Sequence, residues 1–79
     1  GDEALSKEEK REKLEAQLRE LRTAIKVEVK SRKGLEKLVK FYGSDPVAQE
    51  KAKGELDEQS RKVAQLRESK KMVERQLRH

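Results

Sequence analysis

The sequence predicts an all-α fold, a two-helix antiparallel coiled-coil hairpin. Three observations predict it. Two long, charged stretches carry apolar residues at steps of three and four, the spacing of coiled-coil a and d positions. A single firm break, Tyr42-Gly43-Ser44-Asp45-Pro46, divides them. The apolar residues on its two sides match in layers when the chain is folded back at that point.

The first helix is expected over 7–42. Ser6-Lys7-Glu8-Glu9 is a capping-box pattern and marks its start. Its seam runs Leu14, Leu18, Leu21, Ile25, Leu35, Val39 and Tyr42, with Glu28 and Arg32 on the two seam positions between Ile25 and Leu35. The turn is expected over 43–45. Gly43 is expected to leave the helix with positive φ, and Asp45-Pro46 reads as an N-cap followed by a first helical residue. The second helix is expected over 46–78. Its seam is Ala52, Leu56, Val63, Leu66, Val73 and Leu77, interrupted by Gln59 and Lys70. Each helix spans about 33 residues, which gives a rod about 50 Å long.

A turn centred between Asp45 and Pro46 sets the layers. Val39 faces Ala52, Leu35 faces Leu56, Ile25 faces Leu66, Leu18 faces Val73 and Leu14 faces Leu77. Arg32 then meets Gln59, Glu28 meets Val63, and Lys70 meets Leu21. Gln59 and the solvent-reaching stem of Arg32 are expected to make that arginine tolerable on the seam. In this register Glu15 lies near Glu74 and Arg22 near Arg67, pairs of like sign. Gly34 and Gly54 fall inside helical runs, where each costs about 1 kcal/mol against alanine. They read either as tolerated surface glycines or as points of close approach.

Composition bounds the function. Of the 79 residues, 47% are charged and 32% apolar, with no cysteine. One thin core follows, with no disulfide frame and no thiolate metal site. No cofactor is expected, and no metal. Catalysis is not expected either, because no His–carboxylate or Ser–His pairing is present and a two-helix rod offers no pocket. Glu8, Glu9, Glu12 and Glu15 suit the helix dipole instead. No apolar run is long enough for a membrane span, and no signal peptide is visible. The chain reads as a cytosolic piece of a larger protein, with Gly1 as a cloning residue and the lone histidine, His79, as a frayed end or a cloning remnant rather than a ligand.

The net charge of +5 is uneven. Residues 26–40 and 61–79 are basic, while residues 41–60 are acidic, a pattern that suits a folded unit better than a basic tail. Lys26, Lys30, Lys33, Lys37 and Lys40 fall on outward b and f positions and make a stripe with no acid in it. Val27, Gly34 and Phe41 lie beside them on c positions, with Leu38 on the flank. An aromatic with aliphatic neighbours and a charged rim is the pattern of a protein interface. Val27, Lys30, Lys33, Gly34, Lys37 and Phe41 are therefore the candidate interaction residues, unless Phe41 folds over the hairpin tip. A second basic surface, Arg61, Lys62, Lys71, Arg75 and Arg78, lacks interleaved aromatics and reads as a solvated face.

At Lys33-Gly34-Leu35-Glu36-Lys37-Leu38, followed by Tyr42 and Pro46, the chain resembles the HR1 (REM-1) family of antiparallel coiled coils. That family occurs in protein kinase N, rhophilin, rhotekin and F-BAR adaptors of the Toca, CIP4 and nostrin kinds. The match covers roughly residues 14–77, and the Tyr-x-x-x-Pro spacing looks most like the F-BAR adaptors. Cdc42-binding F-BAR adaptors have a longer turn with a Met-Gly-Asp stretch, whereas this turn is only Gly43-Ser44-Asp45. The resemblance thus implies a Rho-family small GTPase (Rho, Rac or Cdc42 class) as partner without naming which. It implies a monomeric, non-enzymatic interaction module that takes no small-molecule substrate, in a cytoplasmic signalling, cytoskeletal or endocytic protein. Membrane contact would come only through the parent protein, at the inner face of the plasma membrane. Two other readings stand beside it: a structural or self-association arm, and a basic hairpin arm that binds RNA.

Overall fold

A computed structural model describes residues 6–78. Gly1 and His79, and the readings attached to them, lie outside the described residues. Two helices pack against each other as a helical hairpin, α1 over Lys7–Phe41 and α2 over Pro46–Arg78. The molecule measures 60 × 20 × 16 Å.

α1 starts as the capping box requires. Ser6 is the N-cap, and its Oγ accepts a hydrogen bond from the Glu9 N–H at 3.1 Å. This satisfies one of the helix's free donors, and Glu8 and Glu9 sit in the first turn against the positive end of the dipole. The helix ends one residue earlier than expected. Tyr42 is the C-cap, and its N–H bonds the Leu38 carbonyl at 3.0 Å.

The turn corrects one expectation. No glycine among the described residues has positive φ, so Gly43 does not leave the helix through the left-handed region. The chain tightens instead: Gly43 N–H donates to Lys40 O at 3.2 Å, and Asp45 N–H donates to Tyr42 O at 2.9 Å. Both bonds reach back three residues, as in the last turn of many helices. A Cβ there would stand 3.3 Å from the Lys40 carbonyl oxygen, a tight contact that a larger residue would meet with a small shift. Asp45 then caps α2 as its sequence position implies. Its Oδ1 accepts from Ala48 N–H at 3.2 Å, and its carbonyl accepts from Gln49 N–H at 2.9 Å. Pro46 occupies the first helical position, where no N–H is needed.

Every residue assigned to the seam is buried or half-buried, including Glu28, Arg32, Gln59 and Lys70. Burial is deepest at Ala52, Gln59 and Val63, all on α2. Val63 is the most enclosed, at 1% exposed. No residue of α1 is fully buried. A two-layer rod covers each seam side chain from one side only, so its core is a line and not a volume.

The register needs a second correction. Gln59 does not pair with Arg32. Its Nε2 donates to the Glu28 carbonyl at 3.3 Å, one turn earlier on α1. Nearer the turn, Gln49 Nε2 donates to the Val39 carbonyl at 3.2 Å, where Ala52 was expected opposite Val39. The cross-helix bonds thus join levels of α1 about one turn below those assigned from the turn centre. A seam residue enters a hole bounded by two successive seam residues across the interface, so apolar spacing alone does not separate these two levels. The buried Gln59 amide separates them through the carbonyl it bonds, that of Glu28.

Arg32 is left without the partner assigned to it. Its Nε is buried and has no hydrogen-bond partner, and the Glu36 carboxylate lies 3.9 Å away, close enough for an ion pair but too far for a hydrogen bond. With the side chain 28% exposed, the rest of the guanidinium keeps a route to water. Arg32→Leu should therefore stabilise the hairpin by about 1–2 kcal/mol, through relief of an unmet donor and gain of seam packing. Urea melts of both proteins measure this; a loss of several kcal/mol would reveal a specific buried pairing of Arg32.

The ion pairs among the described residues, Arg11–Glu15 at 3.3 Å, Arg32–Glu36 at 3.9 Å and Lys70–Glu74 at 3.9 Å, are all four residues apart on one helix. Glu15 and Glu74 are each held by a cation of their own helix. Such pairs stiffen helices slightly and do not join them. The hairpin is held together by the apolar seam and the two glutamine bonds.

Candidate protein-interaction face

The outward side of α1 is built by helical spacing alone. Val27, Lys30, Gly34, Lys37 and Phe41 recur at steps of three and four and therefore lie along one side, with Lys33 beside them. All six are exposed. The seam faces the other way, so packing with α2 takes none of them. Val27 is 60% and Phe41 79% exposed, large values for apolar side chains in so small a fold.

Phe41 does not fold over the hairpin tip. It meets Tyr42 edge to face, with centroids 5.4 Å apart and the rings at 73°. Tyr42 is the half-buried last residue of the seam, so the neighbouring ring is anchored while Phe41 remains open to solvent. Leu38, on the flank, is also exposed.

Lys26, Lys30, Lys33, Lys37 and Lys40 are all exposed, and none takes part in an ion pair among the described residues. From Lys26 to Lys40 the stripe is about 21 Å long. Unpaired lysines above a short apolar strip create a positive field without fixing a geometry, which suits an acidic surface with an apolar centre.

The second basic surface is also exposed at Arg61, Lys62, Lys71, Arg75 and Arg78. Glu68 interrupts it, and Met72 is its exposed apolar member. Val47, the second residue of α2, is 82% exposed and was not singled out in the sequence. Its position could have shown it, since it lies two residues past the Asp45 cap and off the Ala52–Leu56 seam. Two troughs line the rod, one bordered by Lys7, Lys10, Arg11, Leu14, Gln76 and Leu77, the other by Glu28, Lys62, Gln65, Leu66 and Ser69. No group of three or more metal-ligating side chains assembles among the described residues, and no described helix is long and apolar enough to cross a membrane.

The fold defines a class of protein, a helical hairpin, here with an exposed apolar and basic face on one helix. The family model for the HR1 domain of the TOCA family matches residues 2–79. The chain belongs to that family of HR1 domains. No curated protein and no solved structure gave a significant match.

Proposed function

We propose that residues 1–79 form one interaction module that binds a Rho-family small GTPase in its GTP form. The observation that carries this reading is membership of the TOCA-type HR1 family over residues 2–79. The exposed face Val27, Lys30, Lys33, Gly34, Lys37 and Phe41 supports it, because an apolar strip with a basic rim fits a partner that offers apolar and acidic contacts. The module would read the switch segments, which are ordered by the γ-phosphate and magnesium. It acts by binding, without catalysis or a small-molecule substrate. It works as a monomer and recruits its parent protein within the cytoplasm to the inner face of the plasma membrane.

The test is a pull-down with Rho-family proteins loaded with GTP analogue or with GDP. The wild-type chain should retain at least one of them in the GTP form only. Lys33→Glu combined with Lys37→Glu should slow association and weaken the salt dependence while leaving helicity unchanged. If every GTPase treats wild type and the double variant alike, the face is a solvated surface and the structural-arm reading replaces this one. An RNA-binding arm would instead show steep salt dependence on RNA and indifference to the nucleotide state of any GTPase.

A further inference from the structure

We propose that Gly34 is a point of close approach, where the main chain or a projecting side chain of an acidic protein partner comes into contact with the backbone of α1. The inference rests on the interaction reading above and sharpens it from a face to a shape. Gly34 and Gly54 both interrupt continuous helix, and each weakens its helix relative to alanine. A Cβ added at either would meet nothing within 4 Å. The hairpin therefore has no steric use for either glycine.

Their surroundings differ. One heptad to either side of Gly34, on the same side of α1, are Val27 and Phe41, both strongly exposed. Lys30, Lys33 and Lys37 border the gap between them, exposed and without ion-pair partners among the described residues. Gly34 is thus a notch at the centre of an apolar strip with a cationic rim. Gly54 has Val47 and Arg61 at the equivalent distances, with Glu50, Lys51, Asp57 and Glu58 close by on its turns. That is a mixed polar surface with no strip to interrupt.

The lysine rim requires an acidic partner, and the notch decides what kind. A polyphosphate chain or an anionic bilayer reads charge and moulds itself to a surface. Neither would lose contact to one added methyl, and a lysine at this position would serve either better. Only a partner of fixed shape responds to one methyl, because a packed interface tolerates little overfilling.

Four chains test this: wild type, Gly34→Ala, Gly34→Leu and Gly54→Ala. Each is melted, and each is titrated with the GTP-loaded Rho-family protein that wild type retains. Both alanine variants should raise Tm, by about 4–8 °C. Gly34→Ala should nevertheless bind at least about fivefold more weakly, and Gly34→Leu more weakly still. Gly54→Ala should bind as wild type does. Equal affinity of Gly34→Ala and wild type overturns the proposal and leaves the functional reading standing. An equal loss in Gly54→Ala also overturns it, since the cause would then be helix stiffness. If wild type retains no Rho-family protein in either nucleotide state, the functional reading fails and the proposal falls with it.

Discussion

Val63→Asp is expected to unfold the hairpin at room temperature. Val63 is 1% exposed, and among the described residues only Ala52 and Gln59 are buried besides it. An ionised carboxylate there would lose its hydration on an apolar seam. An uncompensated buried charge costs about 3–5 kcal/mol. A chain of this length has roughly 4–12 kcal/mol of stability in all, and a linear core places it toward the low end. Val63→Ala should be milder, about 2 kcal/mol, because it removes two methyl groups and no hydration is lost. Val27→Asp serves as the control: with Val27 60% exposed, the same chemical change should leave the fold intact. Circular dichroism at 222 nm with thermal melts measures all three. A cooperative melt of Val63→Asp close to that of wild type would mean that the seam does not carry the fold.

That prediction depends on a part of the fold that the sequence made legible. The step of three and four placed every seam residue correctly, because burial follows helical geometry and nothing in a two-helix rod competes with it. The caps were legible for a similar reason: Ser6 and Asp45 each bond a backbone N–H three residues away, which is local chemistry. Two features were not legible. Gly43 fits a left-handed cap and a tight turn equally well in sequence; the bonds to Lys40 and Tyr42 select the second. The layer assignment failed at Gln59 because apolar spacing repeats at every turn of the seam, and a backbone acceptor is present at Glu28 and Arg32 alike; the bond to the Glu28 carbonyl selects the first. Arg32, set opposite Gln59 in that assignment, has a buried Nε without a hydrogen-bond partner. The face of α1 was legible as exposure, since residues opposite a seam must face solvent. A partner for that face would be set by shape and charge on another molecule, and no spacing within this chain encodes it.

Phe41→Ala is expected to have the largest effect on binding of any single truncation on the face. Phe41 is 79% exposed and meets Tyr42 in an edge-to-face contact. Its removal should thus cost the fold little, and alanine is the better helix former. In a complex, by contrast, an exposed aromatic at the end of an apolar strip has most of its surface left to bury. Truncating such an anchor costs on the order of 1–3 kcal/mol, roughly a five- to 150-fold loss of affinity. The loss should appear mainly as faster dissociation, because the ring supplies contact and not long-range attraction. The Lys33→Glu and Lys37→Glu pair should act oppositely, on association, because charge steers the encounter. Val47→Ala separates this face from general apolar stickiness near the turn. Val47 is just as exposed, at 82%, but belongs to α2 and not to the outer face of α1, so its loss should leave affinity unchanged. Titration of the GTP-loaded partner with rapid-mixing kinetics reads both rates. If Phe41→Ala dissociates as slowly as wild type while Val47→Ala does not, the docking face lies on α2, and the strip from Val27 to Phe41 is solvent surface.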